Sequence, residues 1–284
     1  MLLETQWVVT GLAVLLGLLI GSFLNVVIYR VPKMLERQWA AECADLRGDV
    51  CSGSEMPTFN LMVPRSTCPH CGHAIRWYEN VPVASYLALR GKCSACKAPI
   101  SARYPAVEMV TALLFGLCAW RWGATPLGLA SCGFVSVLLA LAVIDWDTTL
   151  LPDDLTLPLL WFGLIAAALQ WTPVSLNASL WGAVGGYMSL WSVYWVFKLI
   201  TGKEGMGYGD FKLFAALGAW FGWQALIPII LIASVIGAIV GIAMKFTTGL
   251  REGGYVPFGP FLAGAGLCAL AFGPARLMQF FGLP

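Results

Sequence analysis

Two short acidic motifs carry the side chains of this sequence that are best suited to chemistry. Asp210 closes the stretch Gly207-Tyr208-Gly209-Asp210 just before an apolar run, and Asp145 stands in Asp145-Trp146-Asp147 at the end of another apolar run. A carboxylate at membrane depth is costly, so it generally marks a functional site. If both runs cross a bilayer and both acidic ends emerge on one side, the two carboxylates can share one site.

Paired carboxylates predict a specific reaction. Two carboxylates at short range do not both ionise easily, so they hold one shared proton. One then acts as a base toward water and the other as an acid toward a carbonyl oxygen, which is the chemistry of aspartic peptide hydrolysis. The glycines on both sides of Tyr208 would let a substrate backbone approach closely. A simpler interpretation treats Asp210 as the end of a glycine turn, and Asp153 and Asp154 as N-caps of the next helix.

Four of the nine cysteines form two CxxC pairs, Cys68/Cys71 and Cys93/Cys96. Their spacing is close to that of four-cysteine zinc sites, and a tetrahedral shell of four thiolates is the closed, structural kind of site. Unligated or redox-active cysteines are the alternative, as is a site in which His70 or His73 replaces one cysteine. The cysteines within apolar runs are expected to be small core residues; they are Cys118, Cys132 and Cys268.

Composition places the chain in a membrane. Its 284 residues are 59% hydrophobic and only 11% charged, whereas soluble domains carry about a quarter charged residues. The net charge of +2 is too small to indicate a nucleic-acid partner. The sequence therefore predicts an all-α polytopic membrane protein. Eight apolar runs are expected to form its transmembrane helices, at Trp7–Ile28, 106–120, 127–144, 155–171, 179–200, 211–223, 225–244 and 257–281.

Two segments of the chain are harder to assign. The run at 211–223 has 13 residues, which is short for a hydrocarbon layer of roughly 30 Å and also fits a re-entrant segment. The polar chain from Arg30 to Arg103 contains no candidate span. Within it, Glu36–Asn60 has no clear periodicity, which favours partly disordered chain.

The basic residues orient the predicted helices. With eight spans and the N-terminus outside, 15 of the 17 Lys and Arg residues fall on the inner side. The positive-inside rule therefore places the acidic motifs and the cysteine pairs on the cytoplasmic face. The expected domains are a first transmembrane helix (1–29), a cytoplasmic cysteine domain that binds zinc (30–104) and a transmembrane core that carries the aspartates (105–284).

Several longer motifs together carry a resemblance to a known family. They are Gly21-Ser22-Phe23-Leu24-Asn25-Val26-Val27-Ile28-Tyr29-Arg30-Val31-Pro32, the two CxxC pairs, Ile100-Ser101-Ala102-Arg103-Tyr104-Pro105, Ile144-Asp145 through Leu151-Pro152-Asp153, and Gly205-Met206-Gly207-Tyr208-Gly209-Asp210-Phe211-Lys212. Over nearly its whole length the chain resembles the type IV prepilin peptidases, inner-membrane aspartic proteases of bacteria that process pilins and type II secretion pseudopilins.

The resemblance assigns roles to individual residues. It places the catalytic aspartates on Asp145 and Asp210. Asp147 is the alternative for the first position, but the family pattern puts that aspartate eight residues before the Asp of the Leu-Pro-Asp motif, here Asp153. It also implies zinc on Cys68, Cys71, Cys93 and Cys96.

The resemblance implies a second activity as well. Family members with the cysteine module cleave after a Gly that ends a short basic leader. They then methylate the new N-terminal amine with S-adenosylmethionine. Gly91 matches a family position linked to methyl transfer; otherwise it is a turn glycine. A prepilin keeps its basic leader in the cytoplasm and its apolar helix in the bilayer, so its scissile bond would lie at the inner interface.

Two other functions compete with this interpretation. A cation-coupled transporter also uses carboxylates within the membrane, but it would carry them near the midplane, whereas these lie at the ends of apolar runs. A non-enzymatic, zinc-stapled assembly factor would keep the cysteines and would tolerate the loss of Asp145 and Asp210.

Overall fold

The computed structural model describes residues 2–47, 58–247 and 256–282. Within these ranges the chain is helical, and its only extended pairings are two isolated β-bridges, Thr67 with Ala74 and Lys92 with Pro99. The predicted all-α class is confirmed. The helices are α1 (Leu2–Arg47), α2 (Ala84–Ala88), α3 (Arg103–Trp122), α4 (Pro126–Thr148), α5 (Asp153–Ala168), α6 (Leu176–Thr201), α7 (Tyr208–Phe221), α8 (Leu226–Thr247), α9 (Gly259–Phe272) and α10 (Pro274–Phe280), with 3₁₀ turns at Trp77–Asn80 and Trp223–Ala225.

Each of the eight apolar runs coincides with helical chain, but the described helices differ in how well they could span a membrane. Three segments are long and apolar enough: Thr5–Arg47, Pro126–Thr148 and Trp223–Phe246. The pair α9 and α10, bent by 104° at Gly273, would make a fourth if it forms one span. The chain is therefore a helical membrane protein with three or four segments of clear spanning character.

Helix α1 is much longer than the apolar run that predicts it. The run ends at Ile28, but the helix continues to Arg47 and contains Pro32. The added part is rich in Ala, Leu, Glu and Arg, which favour helix, so the expectation of irregular chain is wrong over 36–47. Residues 48–57 of that segment lie outside the described residues, and 58–60 are irregular.

The chain forms two compact units, Met1–Ala124 and Thr125–Pro284. In the first unit, α3 packs along α1. Buried polar side chains fasten the intervening segment to these helices. The Arg30 guanidinium donates to the carbonyl oxygens of Asn60 at 2.7 Å and Pro64 at 2.6 Å, and Glu108 Oε2 accepts the Val83 N–H at 2.8 Å.

The second unit is built around α7, a helix of 14 residues. From Leu213 to Trp220 every residue of α7 is buried, and the helix packs against α5, α6 and α9. Ser179 of α6 donates a hydrogen bond to the carbonyl of Ala219, and Trp220 Nε1 donates to the carbonyl of Leu159 at 2.9 Å. Because other helices surround α7, its length does not have to match the hydrocarbon layer. The unit therefore holds the Gly-Tyr-Gly-Asp stretch on a helix enclosed by protein.

Candidate active site and metal centre

Asp145 lies in the last turn of α4. The helix ends at Thr149, which adopts a left-handed conformation (φ 56°) and donates its N–H to the Asp145 carbonyl at 2.9 Å. Leu150, Leu151 and Pro152 then lead into α5. Only 4% of the Asp145 side chain and backbone surface is exposed, so the carboxyl faces the interior of the second unit although it stands at a helix end.

Asp210 lies in the first turn of α7. Gly207 is the N-cap, and the Asp210 N–H donates to the Gly207 carbonyl at 3.2 Å. The helix therefore begins within the Gly-Tyr-Gly-Asp stretch, so Asp210 is a helix residue and not the end of a turn before the helix. Asp210 is 7% exposed, and its Oδ1 is buried with no hydrogen-bond partner in the part of the chain that the structure describes. Buried polar atoms are nearly always paired, so an unpaired one calls for an explanation such as a catalytic role.

The two carboxyls are brought together from distant parts of the chain. A Cβ on Gly259 would meet both Asp145 Oδ2 and Leu151, and a Cβ on Gly209, the residue before Asp210, would also meet Leu151. The helices that carry the two aspartates, α4 and α7, both pack on α9. A carboxylate near the N-terminus of a helix is favoured by the helix dipole, which stabilises Asp210 where it stands. The arrangement places two acidic groups in a site largely sheltered from water.

The glycines around Tyr208 do not both leave open space. A Cβ on Gly209 would lie 2.6 Å from the Cβ of Leu151, so this glycine makes room for a side chain of the protein itself. A Cβ on Gly207 would instead lie 3.8 Å from Asp210 Oδ2, an ordinary contact. Close approach of a substrate at Gly209 is therefore blocked by Leu151, and only the Gly207 side keeps that option.

The other acidic residues of this region are not part of the buried pair. Asp147 is exposed, although it is only two residues from Asp145. Asp153 and Asp154 occupy the first turn of α5, whose N-cap is Pro152, so the expectation that they cap it is wrong. Asp153 instead pairs with Lys212 of α7, whose Nζ lies 2.7 Å from the carboxylate.

The four predicted cysteines form one cluster. The sulfurs of Cys68, Cys71, Cys93 and Cys96 all lie within 4.8 Å of one another and could hold a metal ion. The distance between the Sγ atoms of Cys68 and Cys96 is 3.8 Å. His73 is engaged elsewhere, with its Nε2 3.2 Å from Glu79 Oε2. Cys43 is exposed and Cys118 is buried, and Cys51 lies outside the described residues.

The two CxxC turns are built in the same way. Each first cysteine donates its N–H to the carbonyl five residues on (Cys68 to His73, Cys93 to Ala98) and accepts from the N–H four residues on (Gly72 and Lys97). Each turn is closed by one of the two β-bridges, and in each the fourth residue after the first cysteine has a positive φ. The chain therefore presents two equivalent pairs of sulfurs to one point.

The backbone of these turns also favours thiolate. N–H groups of Cys71 and His70 point at the Cys68 sulfur and lower the pKa of that thiol to about 7. N–H groups of Cys96 and Ala95 likewise lower the pKa of Cys93. Because thiolate is the form that binds metals, the folded turns prepare both buried cysteines as ligands.

Gly91 lies in a turn directly before the second CxxC pair. Arg90 and Gly91 both have positive φ, 53° and 67°. A Cβ on Gly91 would lie 2.9 Å from the hydroxyl oxygen of Tyr86 and 3.0 Å from its ring. The turn therefore requires glycine for its backbone and for its contact with Tyr86. Its role in methyl transfer stays a prediction.

Some residues at the site escape sequence reasoning. Gly259 and Leu151 are two such residues, and both lie next to the buried aspartates. A Cβ on Gly259 would lie 2.5 Å from Asp145 Oδ2 and 3.2 Å from Leu151 Cδ1. The available signal is the cluster Pro257-Phe258-Gly259-Pro260 at the start of the last apolar run, because Gly and Pro at such a point usually fix a special backbone geometry.

Known proteins resemble both halves of the chain. The model of the bacterial peptidase A24 N-terminal domain matches residues 15–122, and that of the type IV leader peptidase family matches residues 132–242. Proteins named prepilin leader peptidase/N-methyltransferase are similar over most of the chain. The protein from Pseudomonas aeruginosa is 55% identical over 92% of this chain and 89% of its own length.

Two further relatives with this name cover even more of the chain. The protein from Stutzerimonas stutzeri is 53% identical over 94% of this chain and 93% of its own length. That from Pseudomonas putida is 52% identical over 99% of this chain and 97% of its own length. No solved structure matches the chain. These relatives favour a peptidase and give no support to a transporter.

Proposed function

The chain belongs to the type IV leader peptidase family, and on that premise we propose that Asp145 and Asp210 are its catalytic pair in the removal of basic leaders from type IV prepilins and pseudopilins. The family and the named relatives make the chain a protease and an N-methyltransferase. What they do not assign is which side chains perform each step. The observation that carries the assignment is that two carboxyls from distant parts of the chain, on α4 and α7, are both buried next to residues that contact Leu151.

In the proposed cleavage, one carboxyl of the pair acts as a base and the other as an acid. The ionised carboxylate takes a proton from a water molecule as its oxygen attacks the scissile carbonyl carbon. The protonated carboxyl donates its proton to the carbonyl oxygen, which gives a neutral tetrahedral intermediate. The C–N bond then breaks as the leaving nitrogen receives a proton from the pair, and one hydroxyl of the intermediate returns its proton to the pair as the new carboxyl group forms. Two acidic groups that share one proton supply both functions, and a sheltered site strengthens each interaction.

The substrate would present its scissile bond at the inner interface of the membrane. We place eight spans in the chain, with the N-terminus outside and the acidic pair on the cytoplasmic side of the bacterial inner membrane. The distribution of Lys and Arg supports this topology. In this arrangement residues 30–104 form a cytoplasmic zinc domain between a first transmembrane helix (1–29) and a peptidase core (105–284). Exposed Asp147 and Asp154 would attract the basic leader.

We assign the metal of the cysteine cluster as a structural zinc ion. Four thiolates are the ligands of closed zinc sites, and a Zn–S bond of about 2.3 Å implies sulfur–sulfur distances of about 3.8 Å in a tetrahedron. The separation of 3.8 Å between the Cys68 and Cys96 sulfurs fits that geometry. The ion would hold the two CxxC turns together and, with four protein ligands, would leave no position for a reacting water.

For the second activity the proposed methyl donor is S-adenosylmethionine, which supplies an electrophilic methyl group to the new N-terminal amine. Gly91 is the residue that we link to this step. Its turn is fixed by the N–H of Gly91 donating to the Tyr86 carbonyl at 2.9 Å and by the Ile100 N–H donating to the Gly91 carbonyl at 2.7 Å. A side chain at Gly91 would push Tyr86 away and alter the surface that these residues form.

The decisive experiment mixes purified protein with a prepilin and measures substrate mass. Loss of the leader reports cleavage. We expect Asp145→Asn and Asp210→Asn each to lower the cleavage rate by at least about 10²-fold, the lower end of a general acid–base contribution. Asp147→Asn is the matched comparison. Because Asp147 is exposed and would only attract the leader, its loss should leave kcat within about threefold of wild type, with any further change confined to KM. Cleavage retained by Asp145→Asn and lost by Asp147→Asn would reverse the assignment.

Methyl transfer is measured separately, on a substrate that has already lost its leader. Addition of S-adenosylmethionine should raise its mass by one methyl group in wild type and in both aspartate variants. Gly91→Ala should lose this gain and keep cleavage. Gly72→Ala is the control, because Gly72 has a similar φ of 70° in the other CxxC turn and no atom within 4 Å of an added Cβ. Equal loss in both glycine variants would mean that backbone strain, not the Tyr86 contact, matters.

A further inference from the structure

Gly259 begins α9 at the point where that helix meets the acidic pair. It is buried, and Pro260 follows it as an early residue of the helix. The first turn is closed by the N–H groups of Phe261 and Leu262, which donate to the Phe258 carbonyl at 3.0 and 3.2 Å. This rigid beginning points the main chain of Gly259 at the end of α4.

The Asp145 carboxyl lies directly on the bare backbone of Gly259. A Cβ added there would lie 2.5 Å from Asp145 Oδ2 and 3.1 Å from its Cγ. Non-bonded carbon atoms keep about 3.5 Å from their neighbours, so even alanine would displace the carboxyl by up to about 1 Å. Since α9 is packed against α4, α7 and α8, the helix has little freedom to retreat instead.

Leu151 extends the same contact toward the second aspartate. Its Cδ1 would lie 3.2 Å from a Cβ on Gly259, and its Cβ would lie 2.6 Å from a Cβ on Gly209, the residue before Asp210. One leucine side chain thus fills the space that two glycines leave. The contacts run without a gap from Asp145 through Gly259, Leu151 and Gly209 to the start of α7.

We infer that Gly259 is a positioning residue for Asp145 and that Leu151, seated between Gly259 and Gly209, sets the separation of the two carboxyls. This inference rests on the proposed roles of Asp145 and Asp210. Neither Gly259 nor Leu151 touches the reacting atoms. They fix where one carboxyl stands relative to the other, which decides whether both can engage a single water molecule.

The first test is kinetic and uses glycines of the same helix as controls. A misplacement of about 1 Å can cost on the order of 10²-fold in rate, so Gly259→Ala should lower kcat for cleavage by roughly 10- to 100-fold with KM within about twofold. Gly264→Ala should leave both unchanged, because no atom lies within 4 Å of its Cβ position. Gly266→Ala meets Leu217 Cδ2 at 2.6 Å, away from the aspartates, and should lower thermal stability with kcat within about threefold.

Thermal unfolding in detergent serves as the measure of folding for the unit that contains Gly259. A cooperative unfolding transition like that of wild type, together with a reduced kcat in Gly259→Ala, supports the inference. A kcat within about threefold of wild type overturns it, as does an equal kcat loss in Gly266→Ala, which would indicate general packing. Because the aspartate variants are assayed beside these, cleavage retained by Asp145→Asn would instead refute the proposed function itself.

A second variant applies if Gly259→Ala does not fold. Leu151→Ala keeps the Cβ that lies against Gly209 and removes the Cδ1 that lies against Gly259. It should therefore lower kcat at least about fivefold with KM within about twofold. A kcat within about twofold of wild type would overturn the spacing role of Leu151.

Discussion

Gly218→Ala should be among the most destabilising single-methyl changes in the second unit. Gly218 of α7 faces Gly182 of α6, and a Cβ on Gly218 would overlap the Gly182 carbonyl oxygen and lie 2.5 Å from its carbonyl carbon. Small residues at a helix interface allow such close backbone approach in membranes. Neither neighbour is the movable end of a side chain, so the two helices themselves must separate.

The size of the effect follows from the distances. An ordinary contact needs about 3.5 Å, so the helices must part by roughly 1 Å along much of their length. Their separation would weaken the hydrogen bond from Ser179 to the Ala219 carbonyl. Overpacking costs about 1–3 kcal/mol, occasionally more, and the helix-favouring gain of Ala over Gly returns up to about 1 kcal/mol. Because the neighbours are backbone atoms, the cost lies at the upper end of that range, about 3 kcal/mol, which leaves a net loss of about 2 kcal/mol.

Thermal unfolding in detergent, followed by near-ultraviolet circular dichroism, measures this loss. A loss of about 2 kcal/mol corresponds to a fall in Tm of roughly 4–8 °C for a protein of this size. Gly185→Ala is the matched control on α6, because its Cβ would meet only Leu226 Cδ1 at 3.6 Å, and it should keep or slightly raise Tm. Equal Tm values for the two variants would refute the packing argument.

Three further changes test the first unit. Cys96→Ser should lower bound zinc from about one ion per chain to a small fraction of that, measured by elemental mass spectrometry, whereas Cys43→Ser, at an exposed thiol outside the cluster, should not. Arg30→Lys should speed proteolysis beyond residue 58 severalfold, because a single ammonium nitrogen does not match the fork whose two nitrogens reach the Asn60 and Pro64 carbonyls. Arg37→Lys should have a smaller effect. Glu79→Gln should weaken amide protection around residues 73–80 at pH 7, since the Arg76 N–H lowers the pKa of Glu79 to about 2. A lowered pKa stabilises the fold above the carboxyl's ordinary pKa of 4.5, and this stabilisation is lost as the pH falls toward 2. The difference between Glu79→Gln and wild type should therefore shrink on acidification, and a constant difference would contradict the charge-based reason.

Much of the fold can be predicted from the sequence, because a helix that crosses a membrane needs an apolar run of a certain length. Each run coincides with helix, and the ends that carry Asp145 and Asp210 lie where the sequence places them. The extension of α1 to Arg47 is not predicted, because this part of the helix is formed by residues that favour helix and has no apolar stripe that would reveal it. Cysteine spacing predicts the cluster, since ligand geometry restricts how far apart the pairs can be.

Contacts between a glycine and a side chain far away in the sequence cannot be predicted from apolar runs or cysteine spacing. Gly259 lies 114 residues after Asp145, and no local pattern says which residue of α4 its backbone meets. The role of Gly209 is misjudged for the same reason, because Leu151 reaches it only in the folded unit. Likewise, Asp145 is buried and Asp147 is exposed although they are only two residues apart, and the sequence pattern does not predict this difference.

The two CxxC turns give the metal centre a buried side and a side exposed to solvent. In each pair the first cysteine is buried and the second is exposed: Cys68 and Cys93 are covered, and Cys71 and Cys96 face solvent. An oxidant that diffuses in from water would therefore reach Cys71 and Cys96 first, since accessible thiolates are the ones that react. Oxidative damage would begin at one ligand from each turn, and the loss of either would leave its turn attached to the metal by a single sulfur.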